Sequence, residues 1–400
     1  MIKRTSGAIL VTLFAGNVAH AQDEGAIQVG KFDIKPGLTT DVLHIDNVTY
    51  ASEEADEIDS WVSVVSPKID AYTEFNGHII EMGYRLERGD YYSTDADDYT
   101  DHFAHLKGDF EINDRNRFKG VATYEAGHDE RGRRYSNGFG NELTSVDTYK
   151  NSEIGAIYSY GALSAFGRID LSVGYEDMDY DGDTELYLIR DRSTTKYGAE
   201  FVYRIVDGTN LLLDADRNEI RYDYDANPAN PLDSIENRLL AGFSWDVNAV
   251  TQSYAKVGYK EKSFEAASRD DFSGLAWEVG MSWLPYSYSE FTVSTKQDTR
   301  ETNTAGADYI RGTDYAISWE HSWVQRFSTT ATMALMNDDY VGDVEDLRED
   351  DTKKLTLAAD YEFRRWLTFG LYYSMNDRES NRSDIEFDRN VYGLTAKVTL

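Results

Sequence analysis

The sequence predicts an all-β protein: a single transmembrane antiparallel up-and-down β-barrel of about 18 strands, with 16 as the alternative count. Three observations favour this fold class. About 18 segments of roughly 10 to 13 residues alternate apolar and polar side chains, as tilted strands that cross a bilayer do. The connections between these segments are alternately long and short. The last segment is itself amphipathic and runs to the final residue, so it must pair with another strand.

The alternation has a period of two residues, which places one row of side chains in an apolar medium and the other in water. A single segment of this kind is weak evidence, but the pattern recurs along the whole chain. The clearest apolar rows are Ile80-Met82-Tyr84-Leu86, Ala104-Leu106-Gly108-Phe110-Ile112, Ile169-Leu171-Val173-Tyr175, Tyr197-Ala199-Phe201-Tyr203-Ile205, Leu275-Trp277-Val279-Met281-Trp283 and Leu355-Leu357-Ala359-Tyr361-Phe363.

The connections divide into eight short turns and nine long polar loops, which is the arrangement of a barrel with short periplasmic turns and long acidic extracellular loops. The Asn76-Gly77 pair is typical of a two-residue hairpin turn. The other short turns are predicted at 113–116, 161–164, 206–210, 246–250, 285–287, 322–325 and 364–365. The long loops are predicted at 46–60, 89–100, 129–147, 178–194, 218–235, 262–271, 298–307, 338–350 and 377–387.

The chain end closes the predicted barrel. Tyr392, Leu394, Ala396, Val398 and Leu400 form an apolar row. A strand that faces lipid cannot keep an open edge, because its backbone groups would have no hydrogen-bond partners there. We therefore expect the last strand to pair with the first one, which begins at residue 32.

The N-terminus predicts export. Lys3 and Arg4 precede a short apolar stretch and an Ala19-His20-Ala21 cleavage motif, so residues 1–21 are predicted to be a signal peptide and residues 22–400 the barrel. The chain has no cysteine, 72 acidic and 40 basic residues, and a net charge of −32. Such a surface disfavours nucleic acid as a partner. The expected partners are outer-membrane lipid and lipopolysaccharide, and the expected location is the bacterial outer membrane.

No residue constellation indicates catalysis, a metal site or a cofactor. The acidic run 177–185 superficially matches a calcium-binding loop, but the required Glu at loop position 12 is replaced by Leu188. Solvated loop charge is the simpler interpretation, and such loops can still gather divalent cations diffusely. His105 shares the polar face of its segment with Lys107 and Asp109, where we expect a hydrogen-bonded histidine rather than a catalytic one. The chain is therefore predicted not to be an enzyme.

The candidate functional residues are the charged side chains on the polar faces of the strands, which we expect to line a lumen. Facing acids and bases would create a transverse field that filters solutes by charge. The simpler alternative is that they neutralise one another and keep the lumen wet. With a net charge of −32, we expect a modest cation preference, opposed by the bases among them. The candidates are Lys107, Glu111, Glu125, Glu153, Arg168, Glu176, Lys196, Glu200, Arg204, Asp214, Glu278 and Glu362.

Several short stretches resemble outer-membrane β-barrel porins that are found with bacterial exopolysaccharide and capsule genes. The resemblance is carried by Phe32 to Leu38, Asp46-Asn47-Val48, Ser66-Pro67-Lys68-Ile69, Arg131-Gly132 and Gly393-Leu394. It implies a pore that exports a secreted polysaccharide, with the polysaccharide and a periplasmic export component as partners, and it supplies no catalytic residues. Two alternatives remain: an uptake porin for general or specific solutes, which predicts a long loop folded into the pore, and, less favoured, an outer-membrane enzyme.

Overall fold

The computed structural model describes residues 26–182, 190–223, 231–248, 250–304, 306–342 and 348–399. It is an 18-stranded closed antiparallel barrel with one additional short strand and almost no helix. The predicted signal peptide lies outside the described residues. No helix in the described part of the chain is long and apolar enough to cross a membrane.

The strands, numbered β1 to β19 in chain order, comprise the short β1 and the 18 strands of the barrel. They are Ile27–Val29, Phe32–Ile45, Ser60–Phe75, His78–Tyr91, Tyr99–Asn113, Asn116–Asp129, Asp147–Tyr160, Gly167–Tyr180, Arg192–Val206, Thr209–Tyr222, Ser234–Asn248, Thr251–Phe264, Phe272–Tyr286, Ser289–Glu301, Tyr309–Val324, Phe327–Val341, Glu349–Arg364, Leu367–Ser380 and Phe387–Thr399. Single 3-10 turns occur in the long loops at Glu54–Asp56, Asp95–Asp97, Arg134–Ser136, Gly140–Glu142 and Ser383–Ile385.

The ring is continuous because every barrel strand pairs with the strands before and after it, and β19 pairs with β2 from Val391↔Ile45 to Thr399↔Gly37. This pairing confirms the expected closure between the last strand and the strand that begins at residue 32. The short β1 folds back on the start of β2, with Ile27 opposite Ile34. β2 begins and β19 ends at the short-turn end of the barrel.

The bounds of the described strands leave eight short and nine long connections between them, at the positions that the sequence predicts. The long loops are shorter than predicted, since the barrel strands have 13 to 16 residues instead of roughly 10 to 13. For example, β10 continues to Tyr222 and β11 begins at Ser234, where the sequence predicts one loop over 218–235. The apolar alternation stops at the edge of the bilayer, but backbone pairing continues beyond it into the polar region.

One face of the sheet is apolar and exposed, as in Leu171, Val173 and Tyr175 of β8 and Tyr392 and Leu394 of β19. The buried apolar side chains instead gather at the long-loop end. The largest such cluster contains Ile45, Val48, Val62, Val64 and Tyr91. The interior is therefore packed at its mouth, beneath the loops.

Candidate functional site

One long loop, the mouth loop (residues 130–146, between β6 and β7), lies across the long-loop end of the barrel. Arg192 of β9 donates from Nη1 to the Tyr135 hydroxyl at 3.4 Å, and Arg378 of β18 donates from Nη1 to Asn137 Oδ1 at 3.2 Å. β9 and β18 are nine places apart in the 18-strand ring, so they stand on opposite walls. Two loop residues that are only two positions apart thus contact both walls, and the loop constricts the mouth.

The mouth loop packs tightly on the loop between β2 and β3. Thr49 donates its hydroxyl to Asn141 Oδ1 at 2.6 Å, and Asn141 Nδ2 donates to the Asp56 carbonyl at 2.9 Å. Gly132 has a φ of +81°, and a Cβ there would lie 1.8 Å from the Thr49 carbonyl oxygen. Only glycine fits both this backbone conformation and this close approach.

A buried tyrosine joins the mouth loop to the closure strand β19. The Tyr50 hydroxyl donates to Glu130 Oε2 at 2.6 Å and accepts from Arg389 Nη1 at 2.7 Å, while Arg389 Nη2 lies 3.0 Å from Glu130 Oε1. Burial, reinforced by the Glu130 carboxylate and opposed by Arg389, raises the pKa of Tyr50 to about 12. The hydroxyl therefore stays protonated and keeps donating at neutral pH.

Arg131 holds the mouth loop to the loop between β4 and β5. Its Nε donates to Asp97 Oδ1 at 2.9 Å and its Nη2 donates to Asp97 Oδ2 and to Thr94 Oγ1. Its Nη1 donates to the Leu143 carbonyl within the mouth loop at 2.8 Å. Both Arg131 and Asp97 are buried. A buried bidentate pair of this kind fixes geometry as well as contributing energy.

At the wall formed by β8 and β9, aromatic rings and cations surround the tip of the mouth loop. The Tyr135 ring meets the Tyr180 ring edge-on at 5.5 Å, and the Arg190 guanidinium lies 4.0 Å from the centre of the Tyr135 ring. The Tyr180 hydroxyl donates to Asp129 Oδ2 at 2.9 Å, and Arg134 Nη1 lies 3.1 Å from Asp129 Oδ1. The loop tip is therefore held by several independent contacts.

Below this tip, a charged ladder follows β12. Lys262, Lys260 and Lys256 are all buried, and each contacts two carboxylates. For Lys256, the nearer of these is Asp214 of β10, 2.5 Å away and two strands distant. Side chains can bridge over an intervening strand in this way only on the concave face of a closed sheet. The polar face is thus the face that curves inward.

The ladder is nearly neutral. Five bases share six carboxylates, which leaves one negative charge in excess. A wall in which each charge has an opposite partner exerts little net field on a passing ion. The bases are Lys256, Lys260, Lys262, Lys296 and Arg238, and the acids are Asp214, Asp216, Glu236, Glu278, Asp298 and Glu301.

The ladder comes close to the mouth loop at Tyr222 and Arg192. Tyr222 stands opposite Arg192 in the β9–β10 register and donates its hydroxyl to Glu301 Oε2 at 2.7 Å. Glu301 in turn lies 2.5 Å from Lys262 Nζ. Since Arg192 also contacts Tyr135, the register pair Arg192 and Tyr222 places the loop tip next to the β12 ladder.

The structure brings several of the predicted candidate residues together in smaller groups. Lys196 joins Glu153 at 3.0 Å and Glu176 at 2.7 Å, linking β9 to β7 and β8. Glu278 lies in the ladder, between Lys256 and Arg238. Glu125 accepts from the Tyr149 hydroxyl at 2.7 Å. These contacts join side chains from adjacent strands or from strands two places apart in the ring.

Other candidates form single contacts with partners nearby. Lys107 Nζ is 3.0 Å from Glu81, Glu111 is 3.3 Å from Arg117, and Arg168 is 2.9 Å from Asp170. Arg204 instead donates to the carbonyls of Leu163 and Ser164 in a short turn.

The last two candidates differ from these. Glu200 lies between Asp170 and Asp214 in the strand register, a row of three acids across β8, β9 and β10. Glu362 lies near a short turn, where its backbone amide donates to the Arg326 carbonyl. The four bases expected to oppose the acidic charge, Lys107, Lys196, Arg168 and Arg204, are thus each engaged by an acid or a carbonyl.

The uptake-porin alternative predicts an inward-folded loop, but the sequence did not identify the mouth loop as that loop. The available signal was the basic run Arg131, Arg133 and Arg134, which interrupts a series of acidic loops. Lys354 of β17 was also missed, although Leu355 and Leu357 on the apolar face place Lys354 on the inward face of the strand. What the sequence could not reveal was which bases lack an acid in three dimensions.

His105 lies as expected, with Nε2 3.1 Å from Glu81 Oε1. Among the described residues, no group of three or more histidine or acidic side chains could hold a metal ion. The acidic run at 177–185 is only partly described, because residues 183–189 lie outside the described ranges.

A closed antiparallel barrel with an apolar outer face and a loop across its mouth defines the class of the protein: a transmembrane β-barrel pore. Residues 22–400 match the family described as "Putative beta-barrel porin 2", and the chain belongs to that family. The family confirms the resemblance to outer-membrane porins and the location in the bacterial outer membrane. No curated protein sequence matches the chain at a significant level.

Solved outer-membrane proteins share the fold at low sequence identity. OccK2 (OpdF) of Pseudomonas aeruginosa is 13% identical, with a TM-score of 0.51 over 92% of this chain and 98% of that chain. The outer membrane protein OpdK of the same species is 10% identical, with a TM-score of 0.50 and the same coverage. The FrpB iron transporter of Neisseria meningitidis is 10% identical, with a TM-score of 0.51 over 89% of this chain. This chain spans only 62% of the length of FrpB.

Proposed function

We propose that the protein is a passive channel for small hydrophilic solutes, with the mouth loop as its constriction. The observation that carries the proposal is the pair of contacts from Tyr135 and Asn137 to opposite walls. A loop folded inward is what an uptake porin requires, because it limits the size of the solute that can pass. The likeness to OccK2 and OpdK does not carry this proposal, because it concerns the fold alone. On this proposal the polar-face candidates line the pore.

The second candidate function is export of a polysaccharide, which the exopolysaccharide-linked resemblance favours. The aromatic rings of Tyr135, Tyr149 and Tyr180 meet at the mouth, but Tyr149 and Tyr180 are buried, so sugar rings can stack on them only once the mouth loop has moved. This function requires the mouth loop to move aside, because an extended sugar chain must thread the whole barrel. The proposal of a channel, in either form, does not involve catalysis.

The test is solute flux through liposomes that contain the purified protein. We expect monosaccharides and amino acids to enter and long dextrans to be excluded. A variant in which residues 133–141 are replaced by a short Gly-Ser linker should show a larger single-channel conductance and admit larger sugars. Free passage of long dextrans through the unaltered protein would overturn the constriction and favour export. Absence of both flux and conductance in both forms would refute the channel itself.

A further inference from the structure

An uncompensated cation lies on the inner wall below the mouth loop. Lys354 of β17 shares the face of Asp350 and Thr352, and its cross-strand neighbours are Ala334 of β16 and Asn376 of β18. Within the described part of the chain it forms no hydrogen bond or ion pair. This contrasts with the β12 ladder, where every lysine contacts two carboxylates. A half-buried ammonium group without a partner is costly, so an anion bound from solution would stabilise Lys354.

Other bases surround Lys354. The charges that act on it are those of Arg133 and Glu130 of the mouth loop and of Arg389 of β19. The Nε atoms of Arg378 and Arg389 are buried and have no hydrogen-bond acceptor among the described residues. For Arg378 the closest carboxylate oxygen at that atom, Asp350 Oδ2, is 4.0 Å away. Two guanidinium groups thus retain unused donors beside an unpaired ammonium.

The local charge is positive. Five cations share two carboxylates, which leaves an excess of three positive charges in a chain whose net charge is −32. We call this group the basic patch. Its cations are Arg133, Arg348, Lys354, Arg378 and Arg389, and its anions are Glu130 and Asp350.

We propose that the basic patch is a binding site for a small oxyanion solute, a carboxylate or a phosphate, at the constriction of the channel. The proposal rests on the proposed channel function and specifies its solute class. The mouth loop supplies Arg133, and the wall supplies Lys354, Arg378 and Arg389, so the anion is held between loop and wall. Oxyanions suit this donor set because guanidinium and ammonium groups form charge-assisted hydrogen bonds with them.

The acidic outer surface does not contradict an anion site inside. At physiological ionic strength the Debye length is about 8 Å, so exposed loop carboxylates are screened from charges farther away than that. A patch that faces the narrowest part of the passage lies close to every passing solute. Its field therefore acts on the solute more strongly than the distant loop charges do.

The test uses the purified full chain in planar bilayers, with chloride conductance as the baseline and succinate or inorganic phosphate added as the probe. We expect millimolar succinate or phosphate to block the conductance. Lys354→Gln should weaken this block by about four- to tenfold, as expected for the loss of one unit charge about 5 Å from an anion in a largely aqueous passage. Lys354→Arg should retain the block.

Lys353→Gln is the matched control. Lys353 is the adjacent residue on the same strand but points to the other face, where it pairs with Glu379. We expect this variant to behave as the unaltered protein does. A block by succinate alone would assign the site to carboxylates, and a block by phosphate alone would assign it to phosphate. Equal weakening in both glutamine variants would overturn the assignment to Lys354.

Isothermal titration of the same proteins in detergent separates this proposal from the channel function. If the protein does not conduct but binds either probe, with weaker binding in Lys354→Gln, the channel proposal fails and the anion site stands. If the protein conducts but neither probe blocks it or binds, the channel stands and the anion site is refuted. Absence of both conductance and binding refutes both proposals.

Discussion

Glu236 of the charged ladder contacts two buried lysines, and Glu236→Gln tests whether that wall is dry. The carboxylate accepts from the Thr299 hydroxyl at 2.7 Å and lies 3.0 Å from Lys260 Nζ and 3.5 Å from Lys262 Nζ. Glu236 and both lysines are buried. Glutamine keeps the shape of the side chain and removes only its charge.

The expected cost follows from what the two lysines retain. Removing one member of a fully buried ion pair costs about 3 to 5 kcal/mol, because the other charge is left without compensation. Here Lys260 keeps Asp298 at 2.5 Å and Lys262 keeps Glu301 at 2.5 Å, so the loss is partial. We therefore expect Glu236→Gln to lower the free energy of unfolding by about 2 to 3 kcal/mol.

The measurement is reversible guanidinium unfolding of the protein in lipid vesicles, compared with the unaltered protein. Glu379→Gln is the control, because Glu379 forms an exposed pair with Lys353, and such pairs contribute about 0 to 1 kcal/mol. A Glu236→Gln variant within about 0.5 kcal/mol of the unaltered protein would show that water solvates the ladder. The inner wall would then be wet, and the reasoning from buried ion pairs would be wrong.

Three further predictions concern the mouth and the orientation of the barrel. Gly132→Ala should displace the mouth loop and raise the single-channel conductance, since a side chain there collides with the facing backbone, whereas Gly120→Ala, with no atom closer than 3.7 Å, should not. The pKa of Tyr50 is raised from 10.0 to about 12 in the folded state. Raising the pH from 10 to 12 should therefore remove up to about 2 to 3 kcal/mol of stability that Tyr50 contributes below pH 10. In unfolding measurements, Tyr50→Phe should lack this component of the pH dependence. Asp56→Cys should react with an impermeant thiol reagent on intact cells and Gly77→Cys should not, and labelling of the latter without permeabilisation would reverse the topology.

The architecture was predictable because the bilayer imposes it on the sequence. A strand in lipid must show one apolar row, must be long enough to cross, and must have partners on both sides. These requirements appear in the sequence as period-two alternation and alternating loop lengths. They also forbid an open edge at β19. The extra strand β1 escaped prediction because three residues are too few to show a period.

The site was less predictable because it depends on contacts between distant parts of the chain. Alternation assigns Lys354 and Lys196 equally to the inner face, yet only Lys196 meets acids, on β7 and β8. Whether a base is neutralised depends on the register of strands that are adjacent in the ring, and on loops such as the mouth loop that bring in charges from elsewhere. Net charge does not reveal this either, because the total of −32 does not say where in the barrel the acids and bases lie.

The two inner walls therefore have different consequences for a solute. The wall from β10 to β14 presents paired charges with one net negative charge, while the basic patch, formed by β17 to β19 together with the mouth loop and Arg348, has an excess of three positive charges. If the basic patch binds oxyanions as proposed, we expect a field across the passage to orient a dipolar solute and to draw the anionic end of a zwitterion to the patch. Because the mouth loop is held to both walls by Tyr135 and Asn137, it brings the solute within reach of that field. On the proposed channel function, constriction and charge asymmetry act at the same height of the barrel, and we expect selectivity by charge to depend on the same loop that limits size.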